Sequence, residues 1–205
     1  VAVSLIQADG LHLNAQSPLT QLAADAAVIA FADGLLARAL APFAGDETTL
    51  AQALHQSAPK FGRLLAALLA LDAEITAVAA DELRVLPLPG FLSYRARLPL
   101  AQFPPQRLRL PPLNPGGHYA LAATPAGNAL AVRADIHPQL RVLGHVRVAV
   151  GGPDYAPARL RAVEQRLERQ TLAEPLLAAA LAVAAEALAQ PELAQLSRVL
   201  QGWLK

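Results

Sequence analysis

The sequence predicts an α+β fold, with helices and short strands over residues 1–105 and a three-stranded antiparallel sheet carrying a three-helix platform over residues 106–205. Three observations predict it. Of the 205 residues 54% are apolar and only 4% aromatic, with Ala and Leu dominant, which favours helices packed through small side chains over an aromatic-rich all-β sandwich. Short strand-like runs separated by turn residues occupy the middle of the chain and recur after Gly117. Three amphipathic or alanine-rich runs close it.

Residues 1–15 alternate apolar and polar around Asp9-Gly10, the pattern of a hairpin in which "VAVSLI" turns into "LHLNA". Ser17 followed by Pro18 predicts a helix start, with the hydroxyl as N-cap and the proline at the first helical position. A helical tract carrying Val28, Ile29, Leu35, Leu36 and Leu40 follows and stops near Pro42. The stretch from Gly45 to Gly62 is punctuated by turn residues, and a second helix is predicted from Arg63 to Leu71. "AEITAVAA", "ELRVLPL" and "YRARLPL" then read as short strands.

The segment 99–117 is rich in proline, which fixes φ and cannot donate to a ladder, so a connector or edge is expected there rather than a central strand. The boundary between the two halves falls at 99–116. "HYALAATPA", "ALAVRADI" and "LRVLGHVRVAVGG" follow as three antiparallel strands. The first closing helix, from Ala158, aligns Leu160, Val163 and Leu167 on one stripe. The second opens with Thr171 and Glu174 at capping-box spacing, and the third, from Pro191, aligns Leu193, Leu196, Leu200 and Trp203.

A formal charge of +1 with scattered arginines argues against a nucleic-acid platform. The absence of cysteine excludes disulfides, thiolate zinc sites, iron–sulfur ligation and a cysteine nucleophile within this chain. Apolar runs such as "LLAALLALDA" and "LLAAALAVAAEALA" contain Asp or Glu and fall short of the roughly 20 residues of a membrane span. With no charged segment ahead of an apolar one at the start, a cytoplasmic protein is expected.

The stretch "RVAVGGPDYAPARLRAVEQRLE" runs from strand through glycines to helix, as many phosphate sites do. Pro153 and Pro157 remove two donors, and no Lys, Ser or Thr stands where a nucleotide loop has one, so Gly151-Gly152 reads as a turn. Gly116-Gly117 reads the same way. His12, His55, His118, His137 and His145 include no i, i+4 pair and no HExxH, and no GxSxG surrounds Ser4, Ser17, Ser57, Ser93 or Ser197. Asp72, Glu74, Asp81 and Glu82 form a charge cluster at a helix-to-strand junction, more consistent with a solvated surface than with an acid/base pair. No catalytic or metal-ligating residue is predicted.

The order of elements is more specific. "VRVAVGGPDYAPARLRAVEQRL", "LAEPLLAAALAVAAEAL" and "LSRVLQGWLK", within 130–204, resemble in order and spacing the C-terminal domain of the FAD-binding medium subunit of molybdenum hydroxylases, the xanthine dehydrogenase and carbon monoxide dehydrogenase family. Upstream, "LLAALLALDAEITAVAADELRVLPLPGFLSYRARLPL" and "DGLHLNAQSPLTQLAADAAV" are similar to segments of its flavin domain, so the colinear set covers nearly the whole chain as a remnant of that α+β domain.

That resemblance also marks departures. The family's flavin domain carries two glycine-rich turns at the pyrophosphate; the early one would precede Val1, and the second, Thr-Ile-Gly-Gly-Asn, aligns with Thr49, Leu50, Ala51, Gln52 and Ala53. Side chains at Ala51 and Gln52 crowd the approach that glycine permits. The Lys and Arg expected between the two domains are missing from "PPLNPGGHYALAA". The resemblance thus implies a structural, flavin-free subunit of an oxidoreductase complex, with molybdopterin in a large subunit and 2Fe-2S clusters in a small one. A divergent subunit that still binds FAD and relays electrons is the alternative; an unrelated α+β interaction module is the second.

Overall fold

The computed structural model describes residues 2–56, 58–79, 82–97, 100 and 102–205, so Ser57 and Asp81 lie outside the described residues. The alternating start folds into the hairpin of β1 (Ser4–Gln7) and β2 (Gly10–Asn14) around Asp9-Gly10. Gly10 has φ of +129°, and a Cβ there would collide with the Leu110 carbonyl, so only glycine fits. A second hairpin pairs β3 (Glu74–Ala79) with β4 (Glu82–Pro87). Between the two hairpins lies β5 (Pro105–Leu110), giving the order β1-β2-β5-β3-β4.

The strand β5 corrects the expectation of a connector or edge at 99–117, because it is the middle strand of its sheet. Its prolines stand at the ends, Pro104 before the strand, Pro105 as its first residue, and Pro111 and Pro112 after it. Gln106–Leu110 carry none and keep every donor. Pro105 sits where the register with β3 slips, between Thr76 and Ala77, a position that tolerates a missing N–H. The passage from the first sheet to the second is the short run between Leu110 and Gly117.

Helices cover one face of this sheet. The expected single tract divides into α1 (Leu19–Ala24), α2 (Ala26–Ala30) and α3 (Leu35–Leu40). Asp25 causes the first division, its carboxylate accepting the Ala27 and Val28 N–H groups at 3.0 and 3.1 Å. Positive φ at Ala32, Asp33 and Gly34 causes the second. Ala26–Phe43 has the length and mean hydropathy, 1.6, of a membrane-crossing segment, but this break bends it and Leu35, Leu36, Ala39, Leu40 and Phe43 pack into the core. The predicted Ser17 N-cap does not form: Pro18 is extended and bridges Thr49, so α1 starts at Leu19.

Two short helices lead on, α4 (Leu50–His55) and α5 (Gly62–Ala70). "YRARLPL" is not a strand where it is described. Leu88 and Phe91, three residues apart and both fully buried, anchor α6 (Leu88–Tyr94), and Arg95–Arg97 continue it as a 3₁₀ turn. A four-residue alternation mimics strand period and is outweighed by that buried i, i+3 pair.

The second sheet has four antiparallel strands rather than three: β6 (Gly117–Ala123), β7 (Ala129–Ile136), β8 (Leu143–Gly151) and β9 (Ala158–Arg159). The residues of β9 were expected to open a helix. They pair with Ala149 and Val150 instead, Leu160 N–H reaches the Val148 carbonyl at 2.7 Å, and α7 (Arg161–Leu167) starts beyond them. The platform is completed by α8 (Glu174–Ala184) and α9 (Gln190–Gly202). The Thr171/Glu174 capping box is absent because Thr171 bridges Val142 and Ala173 occupies the N-cap.

Period-two alternation gives the second sheet two faces. Leu130, Val132, Val148 and Val150 pack on α7–α9, while Ala131 and Ala149 turn to the first core. Those alanines leave room for α5, which lies buried between the two sheets and touches β7 and β8.

Candidate functional site

The turn aligned with the flavin motif lies at the start of α4. Thr49 is extended and caps the helix: its Oγ1 accepts Gln52 N–H at 3.2 Å, and Gln52 Oε1 accepts Thr49 N–H at 2.9 Å, a complete capping box. Leu50 N–H donates to the Ser17 carbonyl at 3.0 Å, Ala51 N–H to the Ala15 carbonyl at 2.7 Å, and Ala53 N–H to the Thr49 carbonyl at 3.0 Å. Every N–H from Thr49 to Ala53 is therefore taken within the chain.

A pyrophosphate cradle needs several free N–H groups converging on the anion. Here they have acceptors, and the Leu50 and Ala51 side chains point into the protein, each 1% exposed. The residues present do not fit a flavin diphosphate. The crowding at Ala51 and Gln52 is visible in sequence; the two carbonyls that occupy the donors are not, since they come from more than thirty residues away.

Gly151 is the last paired residue of β8, and Gly152, with φ of +153°, opens a bend that leads to β9 rather than directly into a helix. A Cβ on Gly62 would collide with Gly152 N, and one on Gly151 with the Gly62 carbonyl, so these glycines let the start of α5 touch the end of β8. Gly152 N–H is bound to the Tyr155 carbonyl at 3.1 Å.

The described candidate carboxylates, Asp72, Glu74 and Glu82, are dispersed, each against an arginine. Glu74 accepts Arg109 at 2.6 Å and Glu82 accepts Arg84 at 3.0 Å. Asp72, with φ of +53° after α5, accepts Arg147 Nε at 2.8 Å and an Arg159 terminal nitrogen at 2.9 Å. Arg159 also donates to both Glu164 oxygens at 2.8 and 2.7 Å, and Glu164 takes Val148 N–H at 3.0 Å. Burial opposes the Arg147 charge, but the Asp72 hydrogen bond and nearby carboxylates outweigh it and raise its pKa. Asp72 is thus an ionic joint between the halves, a role that the solvated-surface reading missed.

The histidines do not converge. His12 is buried on Asp9 at 2.8 Å. His55 lies edge-on to Phe91, and burial lowers its pKa with help from the Arg95 charge. His137 Nδ1 accepts two turn N–H groups, His145 meets Asp135 at 2.8 Å, and His118 is exposed. Among the described residues no three His, Asp or Glu could hold a metal ion.

The fold has known counterparts. A carbon monoxide dehydrogenase chain from Hydrogenophaga pseudoflava superposes with a TM-score of 0.77 over 96% of this chain and 74% of its own, at 16% identity. A quinoline 2-oxidoreductase chain from Pseudomonas putida 86 gives 0.75 over 98% and 79%, at 16% identity. The chain has the fold of these molybdenum hydroxylase chains. A reconstituted CO dehydrogenase from Oligotropha carboxidovorans gives 0.70 over 98% and 74%, at 14% identity. No family model matches the sequence, and no curated protein does. The molybdenum hydroxylase likeness is one of fold, and within that fold the turn at Thr49 is closed by the chain's own carbonyls.

Proposed function

We propose that this chain is a structural, flavin-free subunit of a molybdenum-hydroxylase-type oxidoreductase complex, supporting the assembly of a molybdopterin-binding large subunit and an iron–sulfur small subunit in the cytoplasm. The observation that carries the flavin-free reading is the start of α4, where each N–H from Thr49 to Ala53 already has an acceptor. A diphosphate arriving there would have to displace an intrachain acceptor for each N–H it bound. The surfaces this chain contributes are the second sheet and the α7–α9 layer, tied to the first half by the Asp72 joint. Lack of cysteine is compatible with iron–sulfur clusters residing in a partner.

The test is made on the native complex purified through this chain: non-covalent cofactor is released with acid, and flavin fluorescence is read against protein, molybdenum and iron. Molybdenum and iron without flavin is the expected result. About one flavin per chain would overturn the flavin-free reading and favour a working electron-transfer subunit. Absence of molybdenum and iron together would overturn the complex itself.

A further inference from the structure

Where α6 runs into its 3₁₀ turn, a groove crosses the seam between the two halves. It consists of two adjoining cavities of about 320 and 300 Å³, and Arg95, Ala156 and Pro157 line both. Pro59 and Pro153 wall the first cavity, which Asp154 also lines with its carboxylate held by Asn128 Nδ2 at 2.8 Å, and Pro89 walls the second, which Arg159 and Arg161 also line. Proline fixes the backbone on both banks, so little ordering is needed on binding.

Arg95 stands between the cavities, half-buried, with one terminal nitrogen donating to the Leu54 carbonyl at 3.2 Å. Among the described residues no carboxylate lies within ion-pairing distance of it, which is also true of Arg63 and Arg133; Arg95 differs from those two in lining both open cavities. Burial lowers its pKa with no opposing charge, and it in turn disfavours a proton on the neighbouring His55. A half-buried guanidinium held only by a carbonyl keeps N–H donors for an anion that reaches it from the groove. A planar guanidinium suits a carboxylate, which can accept two parallel hydrogen bonds.

Building on the subunit reading, we propose that this groove receives an extended acidic segment of a partner subunit, with an Asp or Glu carboxylate on Arg95 and small apolar residues in the proline-walled cavities on either side. A free small anion would use the charge and leave both cavities unfilled. A peptide uses both, since each cavity has room for a side chain.

The experiment places a benzoylphenylalanine photo-crosslinker at Ser93, an exposed residue lining the second cavity, in the native complex. It is combined with Arg95→Glu and Arg95→Lys. The expected result is a crosslink to a partner peptide bearing Asp or Glu, an affinity at least tenfold weaker for Arg95→Glu, and most of it retained by Arg95→Lys. Unchanged affinity of a folded Arg95→Glu chain, or a crosslink to a peptide without acidic residues, would overturn the proposal. Should Arg95→Glu not fold, Arg95→Leu takes its place under the same criterion.

If the chain purifies with no partner, the subunit reading fails separately, and the groove is judged on the isolated chain. A fluorescein-labelled Ala-Pro-Glu-Ala-Pro peptide is titrated by anisotropy beside its Gln analogue. At least tenfold tighter binding of the Glu peptide, lost in the Arg95 variant, sustains an acidic-segment groove; equal or undetectable binding of the two rejects it.

Discussion

Asp72 and Arg147 join the two halves: Arg147 Nε, on β8, donates to both carboxylate oxygens of Asp72, at the end of α5, at 2.8 Å. Arg159 reaches the same carboxylate from β9. The Asp72, Arg147 and Arg159 side chains are 28, 23 and 7% exposed, so they are screened less than surface ion pairs. Asp72→Ala would leave Arg147 without its direct carboxylate partner and is expected to destabilise the fold by about 2–4 kcal/mol. Asp72→Asn keeps a hydrogen-bond acceptor and tolerates the positive φ, so it should recover part of that loss. Chemical denaturation of both variants checks the ranking; an Asp72→Ala chain as stable as the parent would show that the joint contributes nothing.

The glycines at Gly62 and Gly151 make a packing prediction. A Cβ at either would meet backbone of the other element, which cannot rotate away, and so Gly62→Ala and Gly151→Ala should each cost about 1–3 kcal/mol. Gly90, inside α6 with nothing within 4 Å of the place a Cβ would take, is the contrast. Gly90→Ala should be neutral or stabilise by about 0.5–1 kcal/mol, since alanine restricts the unfolded chain and favours helix. Equal denaturation midpoints for Gly62→Ala and Gly90→Ala would contradict the close approach of α5 to β8.

Features specified by near neighbours are legible in this sequence. Asp9-Gly10 between alternating runs gives the first hairpin, and the strands after Gly117 are bounded by their own turn residues. The stripe of Leu196, Leu200 and Trp203 gives the last helix its buried face. Features decided by distant partners are not legible. Gln106–Leu110 is central only because β2 and β3 arrive on either side of it, and Ala158–Arg159 becomes a strand because β8 has a free edge. At the candidate site, the crowded turn is readable from Ala51 and Gln52. The carbonyls of Ala15 and Ser17 that close it, and the isolation of Arg95 from every described carboxylate, exist only in the folded chain.

Acid should weaken one corner in a defined window. The Asp46 carboxylate accepts Thr48 N–H at 2.9 Å and Lys60 Nζ at 3.0 Å, and hydrogen bonds from Thr48, then Lys60, lower its pKa from 3.8 to about 2. A depressed carboxylate pKa means that the folded state holds the proton less tightly than the unfolded one. Its contribution is therefore full above the ordinary value and fades as pH falls from about 4 to about 2. Asp46→Asn should remove that part of the acid slope and leave the neutral-pH response of the other groups in place. Thermal midpoints of the two chains measured from pH 5 to roughly pH 2 should converge as the acid is added; a constant gap would mean that Asp46 does not titrate as described.

The closed turn at α4 makes the last prediction. Restoring glycines by Ala51→Gly and Gln52→Gly removes the side chains from the approach but leaves the Ser17 and Ala15 carbonyls bound to the Leu50 and residue-51 N–H groups. The variant also loses the Gln52 half of the capping box and gains two glycines in a six-residue helix. A destabilisation of about 2 kcal/mol is expected, with no gain of flavin. Titration with FAD, followed by quenching of its fluorescence, should show no saturable binding to either parent or variant. Saturable binding by the variant alone would mean that the missing glycines, and not the intrachain carbonyls, are what keeps a diphosphate out. Binding by both would mean that flavin is held through groups other than these N–H donors, and the flavin-free reading would fall with it.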